Sequence, residues 1–348
     1  MAALIHLLQV ITSMLANNEY VIVLCLDFSK AFDTVRHHTL MEKMAQLDLP
    51  DQVYNWLVAF FTGHTHCILH HGDMSAFLAI NASIIQGSAI GPPSYVVNAA
   101  DFKVAVTGNA MVKFADDTYI VIPSTNVESR QAEVDHAASW AKENNLKVNQ
   151  EKYKEVVFYD RRRLRQGRTV PPPLEGISRV STVKILGVLV SDTLVFTEHV
   201  DAIISSGAQT LHALRVLRGH GMGDDALQRV FQSVIVAKLQ YASSAWWGFS
   251  NAKERKRIEA FIQRSRRSRF VPEDLPEFED ICRASDDSLF RSILNDPHHV
   301  LHHLLPTQSA ASQNYNLRRR VHKLQIPARV NSLSNKNFIT RMLYRDIY

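Results

Sequence analysis

The stretch Val112-Lys113-Phe114-Ala115-Asp116-Asp117-Thr118-Tyr119-Ile120-Val121-Ile122 decides the fold. Two short β-prone runs, 112–115 and 119–122, flank an Asp-Asp pair. That pattern predicts strands joined by a tight turn that carries two carboxylates. A second run lies some 90 residues upstream, Tyr20-Val21-Ile22-Val23-Leu24-Cys25-Leu26. It is apolar, β-branched and short, as a strand buried on both faces is. Asp27 falls at its end, so the carboxylates converge wherever the two segments are sheet neighbours.

Clustered carboxylates point to divalent-cation chemistry. Two-metal nucleotidyl transfer places acids around a pair of ions about 3.5–4 Å apart. Magnesium suits hard oxygen ligands, one or two carboxylates plus substrate phosphates. Each piece alone has a plainer reading: an aspartate after a strand is ordinarily a turn or cap residue, and Asp-Asp is common in hairpin turns.

Outward from these segments, Leu4, Leu7, Leu8, Ile11 and Leu15 repeat at helical spacing and predict an amphipathic helix over 2–16. Helices are expected at 38–47 and 51–61, the second with Asp51 as N-cap. Short strands are expected at 66–71 and 76–80. Gln86 to Pro93 reads as a loop, followed by a helix to about Val104. Residues 126–145 read as a polar helix with Val134, Ala138 and Ala141 inward, and strands follow at 154–159 and 183–189. Residues 160–180, with Arg161-Arg162-Arg163 and Pro171-Pro172-Pro173, read as an exposed connection. From 197 the chain turns helical. Val200, Ile203, Ile204, Leu211 and Leu214 form one stripe. Leu227, Val230, Phe231, Val234, Ile235 and Leu239, opened by Asp224, form another, and stripes of this kind are core packing.

The chain has 348 residues, 46% hydrophobic and 21% charged, enough for two or three packed units and unlike a disordered or fibrous protein. Residues 1–150 hold 8 Lys+Arg against 14 Asp+Glu; the remainder holds 31 against 20, so net charge runs from −6 to +11. An acidic part that gathers cations beside a basic part that tracks phosphates suits a nucleic-acid enzyme, though a solvated surface shows the same asymmetry. Cys25, Cys67 and Cys282 cannot build a disulfide framework and include no C-x-x-C pair, which favours a reducing compartment. The N-terminus has no charged region and no small-residue cleavage site, so no signal peptide is expected. The longest apolar run is too short to span a bilayer. His298, His299, His302 and His303 invite a metal reading, perhaps with Cys282, but lack knuckle spacing and read as helix surface.

Leu26-Asp27-Phe28-Ser29-Lys30-Ala31-Phe32-Asp33 resembles the first catalytic motif of non-LTR retrotransposon reverse transcriptases. Phe114-Ala115-Asp116-Asp117 matches their Phe/Tyr-x-Asp-Asp motif, and Gln86-Gly87-Ser88 with Gly91-Pro92 resembles the loop between. Trp140, Asn145, Leu146, Asn149 and Lys152 fit the family's W…N-x-L-x-x-N-x-x-K segment. Lys184-Ile185-Leu186-Gly187 resembles the strand that grips the primer end, and the helices from 197 to about 270 resemble the thumb. The stretch from Tyr315-Asn316-Leu317-Arg318 to Tyr348 is similar to the ends of jockey-type elements.

The resemblance implies an α+β fold: a polymerase palm, an antiparallel sheet with packed helices, over 1–180; a primer-grip strand and helical thumb over 181–270; and a helical C-terminal region over 271–348. It implies RNA-directed DNA polymerase activity with Mg2+ or Mn2+, an RNA template, a DNA primer and deoxynucleoside triphosphates. No membrane is implied, and the location is inside the cell, in nucleus or cytoplasm. Asp27, Asp116 and Asp117 become the metal carboxylates. Lys152 becomes the proton donor to the pyrophosphate leaving group; outside the resemblance it reads as a surface lysine. Phe32 becomes the ring that crowds a ribose 2′-hydroxyl, where it otherwise reads as core. Gln86 and Gly87 contact the incoming nucleotide and template, the glycine permitting close backbone approach. Lys184 and Gly187 hold the primer. Arg264, Arg266 and Arg267, with Arg269 and Arg161–Arg163, contact duplex phosphates, or form a solvated face.

The pattern also departs from the family. About 26 residues, none of them Lys or Arg, precede Asp27, where the family carries a basic fingers segment that clamps the triphosphate. Ile85 stands where proline is usual, and Tyr153 where serine or threonine follows the lysine. These features suit an N-terminally truncated copy. The alternative function is therefore an inactive retroelement relic that at most binds nucleic acid.

Overall fold

The computed structural model describes residues 1–163, 170–309, 322–329 and 331–345. Helix α1 (Ala2–Met14) buries Leu4, Ile5, Leu7, Leu8 and Ile11 on one stripe and ends two residues before the expected end. Strand β1 (Val21–Leu26) follows and is buried along nearly its whole length, the signature of a strand covered on both faces. After β2 (Phe28–Ser29) and the single turn α2 (Ala31–Thr34) come α3 (His37–Met44) and α4 (Asp51–Phe61). Asp51 does not cap α4: Pro50 holds the N-cap position with no side-chain cap, and Asp51 lies in the first turn. There its carboxylate favours the positive end of the helix without closing a hydrogen bond.

The strands expected at 66–71 and 76–80 form a nested antiparallel hairpin of short pairs: β3 (Thr65–His66) pairs with β6 (Leu78–Ala79), and β4 (Leu69–His70) with β5 (Asp73–Met74). Helix α5 (Gly91–Asn98) ends six residues before the expected Val104. β7 (Ala110–Phe114) and β8 (Asp117–Pro123) form the predicted hairpin, with Phe114 paired to Asp117, so Ala115 and Asp116 are the two loop residues. Ala115 has φ 52, the positive φ that two-residue hairpin loops demand.

A 310 turn at Ser124–Ser129 leads into α6 (Arg130–Glu143). Its inward face is Val134, Ala137, Trp140 and Ala141, with Ala138 half-buried. The helical phase starts at Arg130 and sets Ala137 one turn after Val134. β9 (Lys147–Val148) pairs with β2, and β10 (Lys154–Phe158) pairs in parallel with β11 (Ser178–Arg179). The main sheet has the order β11-β10-β1-β8-β7. β1 therefore lies beside β8, and Asp27 leaves the sheet next to the hairpin strand that begins at Asp117.

The expected strand over 183–189 is a hairpin: β12 (Thr182–Ile185) and β13 (Val188–Ser191) pair with Ile185 opposite Val188. Leu186 (φ 46) and Gly187 (φ 86) form its two-residue loop. Two positive φ values in succession are the type I′ requirement, which a glycine meets without strain. An apolar run read by propensity alone hides such a turn.

Helix α7 (Thr197–Gly219) buries Val200, Ile203, Leu211 and Leu214, with Ile204 half-buried. α8 (Asp224–Val230), a π-helical turn (Phe231–Val236) and α9 (Ala237–Gln240) follow. The wider π turn shifts the stripe, so Phe231, Ile235, Val236 and Leu239 are buried whereas Val234 is 44% exposed. α10 (Ser243–Trp246), α11 (Ala252–Arg267), α12 (Phe278–Asn295) and α13 (Phe338–Tyr344) complete the described elements. α11 opens with a full capping box between Asn251 and Glu254, which satisfies two otherwise unpaired backbone donors.

The chain divides into two compact units. One is Ile22–Glu155 with Thr169–Arg179; the other is Met1–Val21, Val156–Arg168 and Val180–Tyr348. In the first, Phe102 stacks on Trp140 at 4.5 Å between centroids, with the Phe28 ring edge-on at 5.8 Å. Lys43 Nζ donates to the Asn98 carbonyl, to Asp101 and to Asn144, joining α3, α5 and α6. Glu155, fully buried, accepts from Arg130 Nη1 at 3.0 Å and Arg179 Nε at 2.6 Å. In the second unit, Arg341 bonds Asp286, and Asn337 of the α13 N-cap bonds the buried Thr12 of α1.

Candidate active site

The candidate site lies wholly within the unit built on Ile22–Glu155. Asp27 follows β1 because the apolar run ends there and the backbone turns into β2. Its carbonyl accepts from the Asn149 backbone N–H at 2.9 Å. Its carboxylate Oδ2 accepts from Asn149 Nδ2 at 3.1 Å and lies 3.3 Å from Lys152 Nζ. The lysine is 67% exposed, so this ion pair is screened and worth little, on the order of 0–1 kcal/mol.

Asp116 and Asp117 sit at the β7–β8 turn and the start of β8. The Asp117 carboxyl is raised above its ordinary value by burial first, then by the negative charges of Asp116 and Asp27. The charges of Asp27 and Asp116 therefore both reach the Asp117 carboxyl and oppose its ionisation. Two phenols flank the group. Burial, then the Asp116 charge, raises Tyr95; burial, then the Asp27 charge, raises Tyr153. Tyr153 is 2% exposed and its hydroxyl has no hydrogen-bond partner.

Among the described residues, no group of three or more His, Cys, Asp or Glu side chains is arranged to hold a metal ion by itself. The donor set nevertheless fits magnesium, which commonly takes one or two protein carboxylates and completes its shell with substrate phosphates. His298, His299, His302 and His303 belong to no such group among the described residues. Cys282 is buried in α12, where burial pushes its thiol up to about 12.

Phe32, in α2, stacks on the fully buried Tyr95 of α5 with centroids 4.7 Å apart and planes 21° apart. Gln86 Nε2 donates to Asp33 Oδ1 at 3.0 Å, beside Phe32. Gly87 has φ 86, and a side chain there would meet nothing within 4 Å. Tyr95 and Asn149 are the site neighbours whose contacts sequence reasoning missed. Asn149 carried a signal, its fixed spacing before Lys152. Tyr95 carried none beyond its place in an apolar helix.

In the other unit, Lys184 is exposed on β12, and a Cβ on Gly187 would lie 3.2 Å from the Tyr241 ring. Tyr241 donates its hydroxyl to the Leu186 carbonyl at 3.0 Å. Arg264 and Arg267 are exposed in the last turn of α11, whereas Arg266 turns back and donates to the Leu275 carbonyl at 2.7 Å. Arg161 and Arg162 are exposed. The segment from Tyr315 to Arg318 lies outside the described residues.

A mixed α+β unit with acidic side chains at the ends of adjacent strands defines a class, an α+β fold with an acidic site on its sheet. The particular family follows from comparison: a profile of reverse transcriptase (RNA-dependent DNA polymerase) matches residues 3–190, and the chain belongs to that family. It is similar to the RNA-directed DNA polymerase from mobile element jockey of Drosophila funebris, 27% identical over 241 residues, covering 66% of this chain and 26% of that protein. The jockey polymerase of Drosophila melanogaster is 29% identical over 198 residues, 54% of this chain and 21% of the relative. The probable RNA-directed DNA polymerase from transposon BS of Drosophila melanogaster is 27% identical over 278 residues, 76% of this chain and 30% of the relative. The chain thus spans less than a third of each of these relatives. Among solved structures, telomerase from Candida tropicalis in complex with a telomeric RNA fragment aligns with TM-score 0.43 and 10% identity, over 74% of this chain and 44% of that one. No helix among the described residues is long and apolar enough to cross a membrane.

Proposed function

We propose that the chain is the polymerase part of a non-LTR retrotransposon protein, an RNA-directed DNA polymerase that extends a DNA primer on an RNA template. One observation carries the reading: Asp27 at the end of β1 and Asp116-Asp117 at the neighbouring hairpin feel each other's charge. Like charges held together at a cost are what a divalent-ion site requires.

Asp27, Asp116 and Asp117 would hold Mg2+ or Mn2+, which when bound supplies charge to the attacking 3′-hydroxyl and the transferring phosphate. Lys152 would give its proton to the departing pyrophosphate, exchanging its Asp27 partner for phosphate oxygens. Phe32, backed by Tyr95, would bar a ribose 2′-hydroxyl and so select deoxynucleoside triphosphates. Gln86 and Gly87 would meet the nucleotide and template. Lys184 and the Gly187 loop would hold the primer end, and Arg264 and Arg267 the duplex phosphates, with Arg266 turned inward. In this reading 1–180 form the palm, 181–270 the primer grip and thumb, and 271–348 a C-terminal region, in a protein acting in nucleus or cytoplasm.

The direct test is primer extension on poly(rA)/oligo(dT) with Asp116→Ala as control. Magnesium-dependent synthesis by the parent and its loss by a factor of about 10³ or more in the variant are expected. Well-folded protein that makes no product under these conditions ends the polymerase reading. A second reading, an inactive chain that binds nucleic acid, is favoured by the basic balance of residues 151–348, with 31 Lys+Arg against 20 Asp+Glu. Salt-sensitive RNA binding that is indifferent to Asp27→Ala and Asp116→Ala, without synthesis, would select it.

A further inference from the structure

The β12–β13 loop is held by a residue outside its own hairpin. Leu186 (φ 46) and Gly187 (φ 86) form the loop. The flanking Ile185 and Val188 are buried, whereas Gly187 stands in solvent. Tyr241, which follows α9 and lies 55 residues beyond Leu186, reaches this loop twice. Its hydroxyl donates to the Leu186 carbonyl at 3.0 Å. Its ring lies so close to Gly187 that a Cβ there would sit 3.2 Å from Cε1. The root of Tyr241 is anchored as well, because the indole of the fully buried Trp246 donates to the Tyr241 carbonyl at 3.0 Å. The next residue, Ala242, has φ 52 and turns the chain from α9 into α10.

Stability does not account for this arrangement. Leu186 and Ala242, one on each side of the bond, both carry the penalty of a left-handed residue other than glycine. The bond is exposed and Tyr241 itself is 50% exposed, so water competes for both partners and the net gain is small. Strain held in place without a matching gain in stability gathers at functional positions.

We infer that Tyr241 is a positioning residue for the primer: it pins the Leu186-Gly187 loop in the shape in which Lys184 and the loop backbone hold the primer end. This role rests on the polymerase reading above and adds to it a residue outside the Lys184–Gly187 segment. The physical basis is preorganisation. Tying down the Leu186 carbonyl removes competing loop conformations before the strand arrives, so less ordering entropy is lost on binding. Ring and hydroxyl contribute separately. The ring fills the space that a side chain at position 187 would need, and the hydroxyl fixes the carbonyl.

The test separates binding from chemistry. Affinity of the full chain for fluorescent oligo(dT) annealed to oligo(rA) is measured by anisotropy in magnesium-free buffer, with oligo(rA) alone as control. Steady-state extension then gives KM for primer–template and KM for dTTP separately. Tyr241→Phe removes only a hydroxyl at an exposed position, so the fold is left intact. It is expected to weaken primer–template binding, and to raise its KM, roughly 2–10-fold, the worth of one hydrogen bond. Binding of oligo(rA) alone and KM for dTTP are expected to stay unchanged. A merely structural tyrosine would lower the melting temperature or the active fraction without separating the two KM values. Gly187→Ala is expected to weaken primer binding less in a Tyr241→Leu background than in the parent, because the ring its methyl would meet is gone. Equal primer affinities and KM values for parent and Tyr241→Phe overturn the proposal and leave the polymerase reading standing. A parent that binds primer–template without extending it ends the polymerase reading, and the affinity of Tyr241→Phe still decides whether the tyrosine holds the loop for the strand. A parent that binds no primer–template overturns both.

Discussion

Asn149 and Asp27, 122 residues apart, are joined twice: side chain to carboxylate at 3.1 Å and backbone N–H to carbonyl at 2.9 Å. The β2–β9 pairing, Phe28 opposite Val148, runs directly beside this clamp. The asparagine thus fixes the carboxylate's orientation, leaving Oδ1 the freer oxygen. Groups that orient a metal-binding carboxylate typically matter by 10–100-fold. Asn149→Ala is expected to lower extension about tenfold at limiting magnesium and less at saturating magnesium. An unchanged magnesium dependence would show that the clamp is structural only.

The Phe32–Tyr95 stack gives selectivity a support that lies outside the motif. An aromatic pair of this geometry contributes about 0.5–1.5 kcal/mol. Tyr95→Leu is therefore expected to reduce discrimination between deoxy- and ribonucleotides roughly 2–10-fold, read as the ratio of kcat/KM values, while Tyr95→Phe preserves it. Equal ratios for parent and Tyr95→Leu would remove Tyr95 from the selectivity argument.

Asp117 is raised above its ordinary carboxyl value of 3.8, chiefly by burial. A raised carboxyl means that the folded state binds the proton more tightly than the unfolded state. Its ionisation therefore opposes folding at neutral pH, and that penalty fades as pH falls through the folded value toward 3.8. In metal-free buffer Asp117→Asn is expected to raise the melting temperature at pH 7, with the gain shrinking as pH falls toward the ordinary carboxyl value. Added magnesium should narrow the gap by stabilising the parent. A stabilisation that is the same at pH 4 and pH 7 would contradict the raised carboxyl.

Glu155 is fully buried between Arg130 and Arg179. Removing one member of a buried ionic group strands the others, at about 3–5 kcal/mol. Glu155→Ala should lose this much in urea unfolding, whereas the exposed pair broken by Lys152→Met should cost less than about 1 kcal/mol. Similar losses for both would refute the distinction drawn from burial.

Much of the architecture was legible locally. The Val21–Leu26 strand, the Phe114–Asp117 turn and the α1 and α7 stripes follow from patterning within a few residues, which is where side-chain periodicity and turn stereochemistry act. Where local rules failed, a local competitor was at work: the positive-φ loop at Leu186-Gly187 split one expected strand into two, and the π turn at Phe231–Val236 rotated Val234 to the surface.

By itself the sequence determined the Val21–Leu26 strand, that Asp27 ends it and that Asp116-Asp117 lies at a hairpin turn, and to which family the motifs belong. Only the tertiary structure decided that β1 lies beside β8, that Asn149 and Lys152 reach Asp27, that Tyr95 backs Phe32, and that Arg266 turns inward. The reason is the range of the forces. Periodicity and turn preference are properties of neighbours in the chain, whereas strand order and side-chain partners are chosen by burial summed over segments a hundred residues apart.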